Sequence, residues 1–331
     1  MSTAGTGRYG VLVVQPPLSP DAPVAAADDL VRAVELDAGG LTLSGLLAVP
    51  RDVPPRAVLV ALHGAGMRAG YFHGPADAST SLLSLAAACD CAALALDRPG
   101  YGSSAAQVPE GLGLTAQAEH IRQALAAHGR QYPTGGGYFL VGHSLGGKVA
   151  LATAAGWEGG DLLGVDVSGI SDRWAVPPES RTGEGMRRAR GLHWGPLSLY
   201  PPRTFRSAER LVAPVPAREA AEIPDWPRVY PEVARRVRVP ARFAFAEHER
   251  WWRCDERTVR AMADRLAAPL VRTEHVAAAG HNISLGRAAR GYHLRVLAFL
   301  EECLARAEGA ATALRLHETE ADTPDRDDPP G

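Results

Sequence analysis

The chain has 331 residues, enough for about two domains or for one α/β domain with an insertion. Hydrophobic residues make up 46% and charged residues 22%, which excludes a chain disordered throughout and a collagen-like or fibrous repeat. A formal net charge of −2 excludes a global attraction to nucleic acid or anionic lipid.

From the N-terminus, Met1–Gly10 is polar and the apolar run Val11–Val14 is too short for a signal-peptide core. Pro16–Ala27 is rich in proline and alanine, so residues 1–30 are expected to be a loose segment. Val31–Asp37 and Leu41–Val49 flank Gly39-Gly40 and read as a hairpin. The continuous apolar runs Ala57–Leu62, Cys91–Leu96, Tyr138–Gly142 and Leu162–Val167 read as strands buried on both faces. Helical patterns over Ala76–Ala88, Thr115–His128 and Leu145–Ala155 separate them. After an interruption come strand Ala241–Ala246, helix Asp255–Ala267, strand Leu270–His275 and helix Arg287–Arg306. This alternation predicts an α/β fold, a mostly parallel sheet covered on both sides and opened by an antiparallel hairpin. Residues 31–170 and 239–306 form its core, and residues 307–331 are expected to be a disordered acidic tail.

The interruption, residues 171–238, is rich in proline and arginine and carries Trp174, Trp194, Tyr200, Phe205, Trp226 and Tyr230. An insertion of that length between two sheet strands is expected to be a cap or lid, and its aromatics predict a small core of its own. Cys89, Cys91, Cys254 and Cys303 form neither a CxxC pair nor a zinc spacing and read as buried thiols in a reducing compartment. No stretch reaches the roughly 18–20 apolar residues of a membrane span, so a cytoplasmic protein is expected. Lys148 is the only lysine, which reads as the codon bias of a GC-rich bacterial genome.

The chemistry concentrates in Gly142-His143-Ser144-Leu145-Gly146-Gly147, a G-x-S-x-G placed after a buried strand and before a helix. At that turn only glycine fits on either side of the serine, whose hydroxyl then projects above the sheet at a helix N-terminus. A serine nucleophile needs a base. Of eleven histidines, His281 lies in a loop after the last strand, where it can return to the carboxyl edge of the sheet. A carboxylate should hold the imidazole, and strand Ala241–Ala246 is followed by Glu247-His248-Glu249. Glu249 is the preferred acid, Glu247 the next and Asp172 the third. Oxyanion donors are expected from the amides of Leu145 and of Ala65, the latter in the glycine-rich loop His63-Gly64-Ala65-Gly66. No HExxH or similar metal spacing is present, and no cofactor is implied.

With these stretches, Asp97-Arg98-Pro99-Gly100-Tyr101-Gly102-Ser103 and Gly280-His281, the sequence resembles the α/β-hydrolase family over about Val31–Ala305. The resemblance implies an eight-stranded, mostly parallel sheet with a cap after the sixth strand. It also implies an acid position matching Glu249, though with Glu for Asp and Ala246 where the family has glycine. The Asp97–Ser103 loop is mostly structural in the family, and Ser144 sets the chain apart from relatives with aspartate at the elbow.

The resemblance leaves the bond open. The leading expectation is a serine hydrolase acting on an ester or thioester of a medium-sized organic acyl group, in bacterial secondary metabolism. Lyase, cyclase or acyl-transfer chemistry with the same residues, and a silent binding protein on the same scaffold, are the competing readings. Arg68, beside the oxyanion loop, is a candidate carboxylate ligand, and Trp174 and Trp194 are candidate pocket walls. The cap arginines Arg181, Arg187, Arg188, Arg190 and Arg203 suit a substrate linked to coenzyme A or to a carrier protein. No nucleic acid or membrane partner is expected.

Overall fold

The computed structural model describes residues 30–181 and 183–321. Residues 1–29 and 322–331, most of the N-terminal segment and the end of the acidic tail, lie outside the described residues.

Strands β1 (Val31–Asp37) and β2 (Thr42–Ala48) form the antiparallel hairpin around Gly39 and Gly40, which sit at φ 69° and 91°. Beyond it lie β3 (Val58–Leu62), β4 (Ala92–Leu96), β5 (Tyr138–His143), β6 (Leu162–Ser168), β7 (Ala241–His248) and β8 (Val271–Gly280). They make one eight-stranded sheet in the order β1-β2-β4-β3-β5-β6-β7-β8, parallel from β4 onward. Strands β3 to β6 are buried along their whole length, as their unbroken apolar runs require.

Side chains alternate across this sheet. Val58, Val60 and Leu62 pack with α2 (Leu114–Gln131) and α3 (Leu145–Ala155), whereas Leu59 and Ala61 face α1 (Leu82–Ala88) and α9 (Ala289–Ala321). Helix α8 (Glu256–Ala263) joins the first of these faces through Val259 and Met262. Crossing from β3 to β5 at the centre of the order opens the crevice at the carboxyl edge where the elbow serine stands.

Three boundaries differ from expectation by about five residues or more. Helix α1 begins at Leu82, not Ala76, because the Ser81 hydroxyl accepts from the Ser84 amide and caps it there. Strand β8 runs on to Gly280 past a register shift at Ala246/His248, with Ala278 at φ 51°. Helix α9 continues to Ala321, so the tail expected to be disordered from residue 307 starts as helix. Alanine, leucine and arginine, good helix formers, are dense enough there to carry the helix past the last core contacts.

Residues 171–238 hold the short helices α4 (Gly183–Arg188), α5 (Thr204–Ala208), α6 (Ala217–Glu222) and α7 (Trp226–Ala234). Their aromatics divide. Trp194, Tyr200 and Phe205 pack on one another, with centroids 4.9–5.9 Å apart. Trp174, Trp226 and Tyr230 instead join the main core over the α3 face, so the insertion is welded to the sheet layer rather than built around a core of its own.

Candidate active site

Ser144 caps the turn between β5 and α3 at φ 52° and ψ −119°, a conformation that costs a non-glycine residue about 1–3 kcal/mol. The surroundings enforce it. A Cβ on Gly142 would lie 2.5 Å from the Gly146 carbonyl oxygen, and one on Gly146 only 2.0 Å from that of Leu62. The Ser144 amide is tied to the Ser168 carbonyl at 2.8 Å.

His281, directly after β8, brings its Nε2 to 3.1 Å from Ser144 Oγ. Its Nδ1 lies 2.7 Å from Oε2 of Glu249, which stands directly after β7. The Glu249 side chain is fully buried, and its other oxygen accepts from the amides of Arg250 (3.0 Å) and Trp251 (2.9 Å). With Nδ1–H donating to that carboxylate, Nε2 is left to accept the serine proton. The other two carboxylates are occupied elsewhere. Exposed Glu247 accepts from the Ala278 amide at 2.7 Å and pins the β8 bulge, while Asp172 faces Arg265 at 3.8 Å.

The loop His63–Gly66 runs beside the serine, since a Cβ on Gly64 would sit 3.3 Å from Ser144 Cβ. Leu145 opens α3, so its amide has no carbonyl one turn earlier in the helix to meet, and the Ala65 amide makes no hydrogen bond among the described residues. Both flank Ser144, as an oxyanion site needs. The loop is braced from outside. Tyr101 accepts from the Gly66 amide, and fully buried Arg98 donates to the His63 carbonyl (2.7 Å) and to both oxygens of Glu219 (2.7 and 3.1 Å) in α6.

Two cavities meet at Ser144. One of about 40 Å³ has walls of Lys148, Trp174, Trp251, Trp252, Met186 and Ile223. The other, of about 200 Å³, runs along Gly64–Met67 to Trp194 and Val212. Trp174 and Trp194 therefore line the site, one on each side, and Trp174 stacks on Trp252 at 3.8 Å. Arg68 does not: it is exposed and lines neither cavity, because it precedes the turn Ala69–Phe72, which carries it outward. Of the cap arginines, Arg187, Arg188 and Arg203 are exposed, whereas Arg181 turns inward over Trp174 and donates to the Val176 carbonyl.

Sequence reasoning missed His193, Lys148, Trp251 and Trp252. His193 lines both cavities 5.6 Å from the His281 ring, and burial, aided by His281, pushes its imidazole down to about 3. Beneath the elbow, burial likewise holds His143 well below the usual histidine range while it stacks on Tyr71. Trp251 and Trp252 lie two and three positions after Glu249, and that closeness in sequence was the available signal. Among the described residues no His, Cys, Asp and Glu side chains group to hold a metal ion, and no helix is long and apolar enough to cross a membrane.

Known proteins share this architecture. A protein of Cronobacter turicensis bearing the name carbamate hydrolase RutD is 33% identical over 101 residues, covering 30% of this chain and 33% of its own. The match thus spans about a third of that relative's length. The proline iminopeptidase of Mycobacterium smegmatis superposes with a TM-score of 0.62 at 16% identity, over 83% of this chain and 100% of that one. A thermostable carboxyl esterase of Bacillus coagulans gives 0.61 at 18% identity, over 83% and 99%. At such identities these two share the fold. The family model described as the alpha/beta hydrolase family matches residues 57–292, well over half of the chain. With that match, the eight-stranded sheet and the serine at its elbow, the chain belongs to the alpha/beta hydrolase family.

Proposed function

We propose that this protein is a serine hydrolase that cleaves an ester or thioester of a short to medium acyl group through a covalent acyl-enzyme. The observation that carries the reading is the unbroken run from Ser144 Oγ through His281 to the buried Glu249 carboxylate, at 3.1 and 2.7 Å. Ser144 Oγ attacks the acyl carbon while His281 Nε2 takes its proton, and the oxyanion meets the amides of Ala65 and Leu145. Collapse breaks the bond to the leaving alcohol or thiol, which receives the proton from His281. Water then enters and gives a proton to His281 and its oxygen to the acyl carbon; the acyl–Oγ bond breaks, His281 returns the proton to Ser144 Oγ, and the acid leaves. The smaller cavity beside Trp174 and Trp252 suits the acyl group, and the larger one toward Trp194 the leaving group. Four unpaired thiols suit work in the reducing cytoplasm.

A fluorophosphonate probe is expected to label the wild-type protein and not Ser144→Ala. Ser144→Ala and His281→Ala should each lower turnover at least about a thousandfold with the fold intact by circular dichroism, because such residues act as a unit. Hydrolysis in isotopically heavy water should place one heavy oxygen in the acid product. A lyase or acyl transferase would leave the product unlabelled, and a labelled Ser144→Ala protein would remove the serine from the mechanism.

A further inference from the structure

The small cavity beside Ser144 is lined by a lysine whose donors are not all met among the described residues. Lys148 follows Ser144 by four residues on α3, one turn along the same face. Its side chain is 4% exposed, with Nζ 5.1, 5.4 and 5.7 Å from the rings of Trp252, Trp174 and Trp226. Of its three donors one reaches a protein acceptor, the Ile223 carbonyl at 3.2 Å, and among the described residues it makes no ion pair. Trp251, a wall of the same cavity, is also buried, and its indole N–H has no acceptor among the described residues.

Among the described residues no carboxylate lines this cavity. The acidic group whose charge reaches Lys148 is Glu219, and it is already held by Arg98, Tyr101 and Gln117. Glu222 and Asp225 line a separate cavity on the far side of Lys148, where they would repel an anion. Across the near cavity stand His281 and His193, the latter kept neutral by burial, and Arg181 lies over Trp174. Among the described residues the near cavity is therefore bare of negative charge and sets the Lys148 ammonium in an aromatic box.

We propose that Lys148 is the specificity-determining residue of this site, and that the acyl group it selects is short and ends in a carboxylate, as in the half-ester or half-thioester of a dicarboxylic acid. The inference rests on Ser144 being the nucleophile. A cavity of about 40 Å³ limits the chain to a few atoms between the scissile carbonyl and the carboxylate. The carboxylate supplies the counter-ion that a buried ammonium lacks, whereas a neutral acyl group leaves the ammonium unpaired. Burial pushes the Lys148 ammonium down to about 7, against a smaller opposing pull from Glu219. Binding an anion therefore draws a proton onto Lys148, and affinity for the half-ester falls as pH rises above about 7.

Because Lys148 is the only lysine, protein grown on isotope-labelled lysine gives one side-chain amine resonance. In Ser144→Ala protein, the monomethyl esters of malonic, succinic, glutaric and adipic acids are titrated against methyl pentanoate. At one or more chain lengths the half-ester should raise the titration midpoint of Lys148, and methyl pentanoate should not. If no half-ester moves it further than methyl pentanoate does, the proposal is overturned, whatever Ser144 does. In active protein, Lys148→Met should lower the ratio of kcat/KM for p-nitrophenyl half-esters over p-nitrophenyl pentanoate at least about tenfold. An equal loss on both substrates makes Lys148 a packing residue and overturns the proposal. Failure of the hydrolase reading appears separately, as wild-type protein that neither labels with fluorophosphonate nor turns over any ester.

Discussion

Glu247 and Glu249 differ by two positions, and the register shift at the end of β7 sends them to different tasks. Glu249 meets His281 Nδ1 and the amides of Arg250 and Trp251, so its carboxylate is fixed as an acceptor. Glu249→Gln keeps the shape but lets the amide donate, which disfavours the Nδ1–H tautomer, and kcat should fall on the order of a thousandfold or more. Glu247→Gln keeps an oxygen for the Ala278 amide at 2.7 Å, and kcat should stay within about twofold of wild type. Steady-state kinetics on one activated ester compares the two. The reverse order would transfer the acid role to Glu247. Lys148 and Ser144 illustrate strain of two kinds at this scale. One is a charge held in an apolar box, the other a backbone held at positive φ, and each is imposed by neighbours rather than by the residue itself.

Helix α6 is only six residues long, yet it carries the contact that fastens the insertion to the oxyanion loop. Arg98 and Glu219 are an ion pair with essentially no exposure, and Arg98 satisfies its remaining donors on Gln117 and on the His63 and Gly64 carbonyls. Such a pair adds little net stability over a well-packed apolar pair, but removing one partner strands a buried charge. Glu219→Ala should therefore cost about 3–5 kcal/mol in urea unfolding, and Arg98→Met combined with Glu219→Leu should cost less than the sum of the single changes. If the effects simply add, the two side chains are uncoupled and α6 does not brace the loop. The Asp97–Ser103 stretch thus contributes to the site without touching a substrate, through Arg98 and through Tyr101 on the Gly66 amide.

Among the described residues, burial holds five imidazoles below their ordinary value near 6.5: His63 and His143 well below, His128 and His293 down to about 4, and His193 to about 3. The unfolded chain protonates these groups first as pH drops. The stability they contribute is complete above about 6.5 and is lost as pH falls through about 4. Asp166 and Asp172, whose carboxyls burial pushes up, act in the opposite direction. The melting temperature should therefore fall steadily between pH 7 and pH 4, as scanning calorimetry would record. A flat profile over that window would mean that the imidazoles stay accessible to solvent in the folded protein.

The sheet and its elbow were legible because they rest on local signals: unbroken apolar runs for strands buried on both faces, glycines flanking Ser144, and the order serine, acid, histidine along the chain. Those signals located Ser144, His281 and Glu249, since the end of a parallel strand defines the edge to which its next loop belongs. They ranked Glu249 ahead of Glu247 and Asp172, but the contact of Glu249 with His281 depends on a register shift between β7 and β8, which lie on separate stretches of the chain. Arg68 was misplaced for a related reason, since proximity to the oxyanion loop in sequence says nothing of the turn that carries its side chain outward. The insertion was visible as a change in composition, but how its aromatics divide between the main core and the cavity walls is set by packing against α3 and the loop after β7. Lys148 shows the limit most plainly. In sequence it is a lone lysine on an alanine-rich helix, and only the convergence of Trp174, Trp226 and Trp252 from three separate stretches turns it into a buried charge facing the serine's cavity.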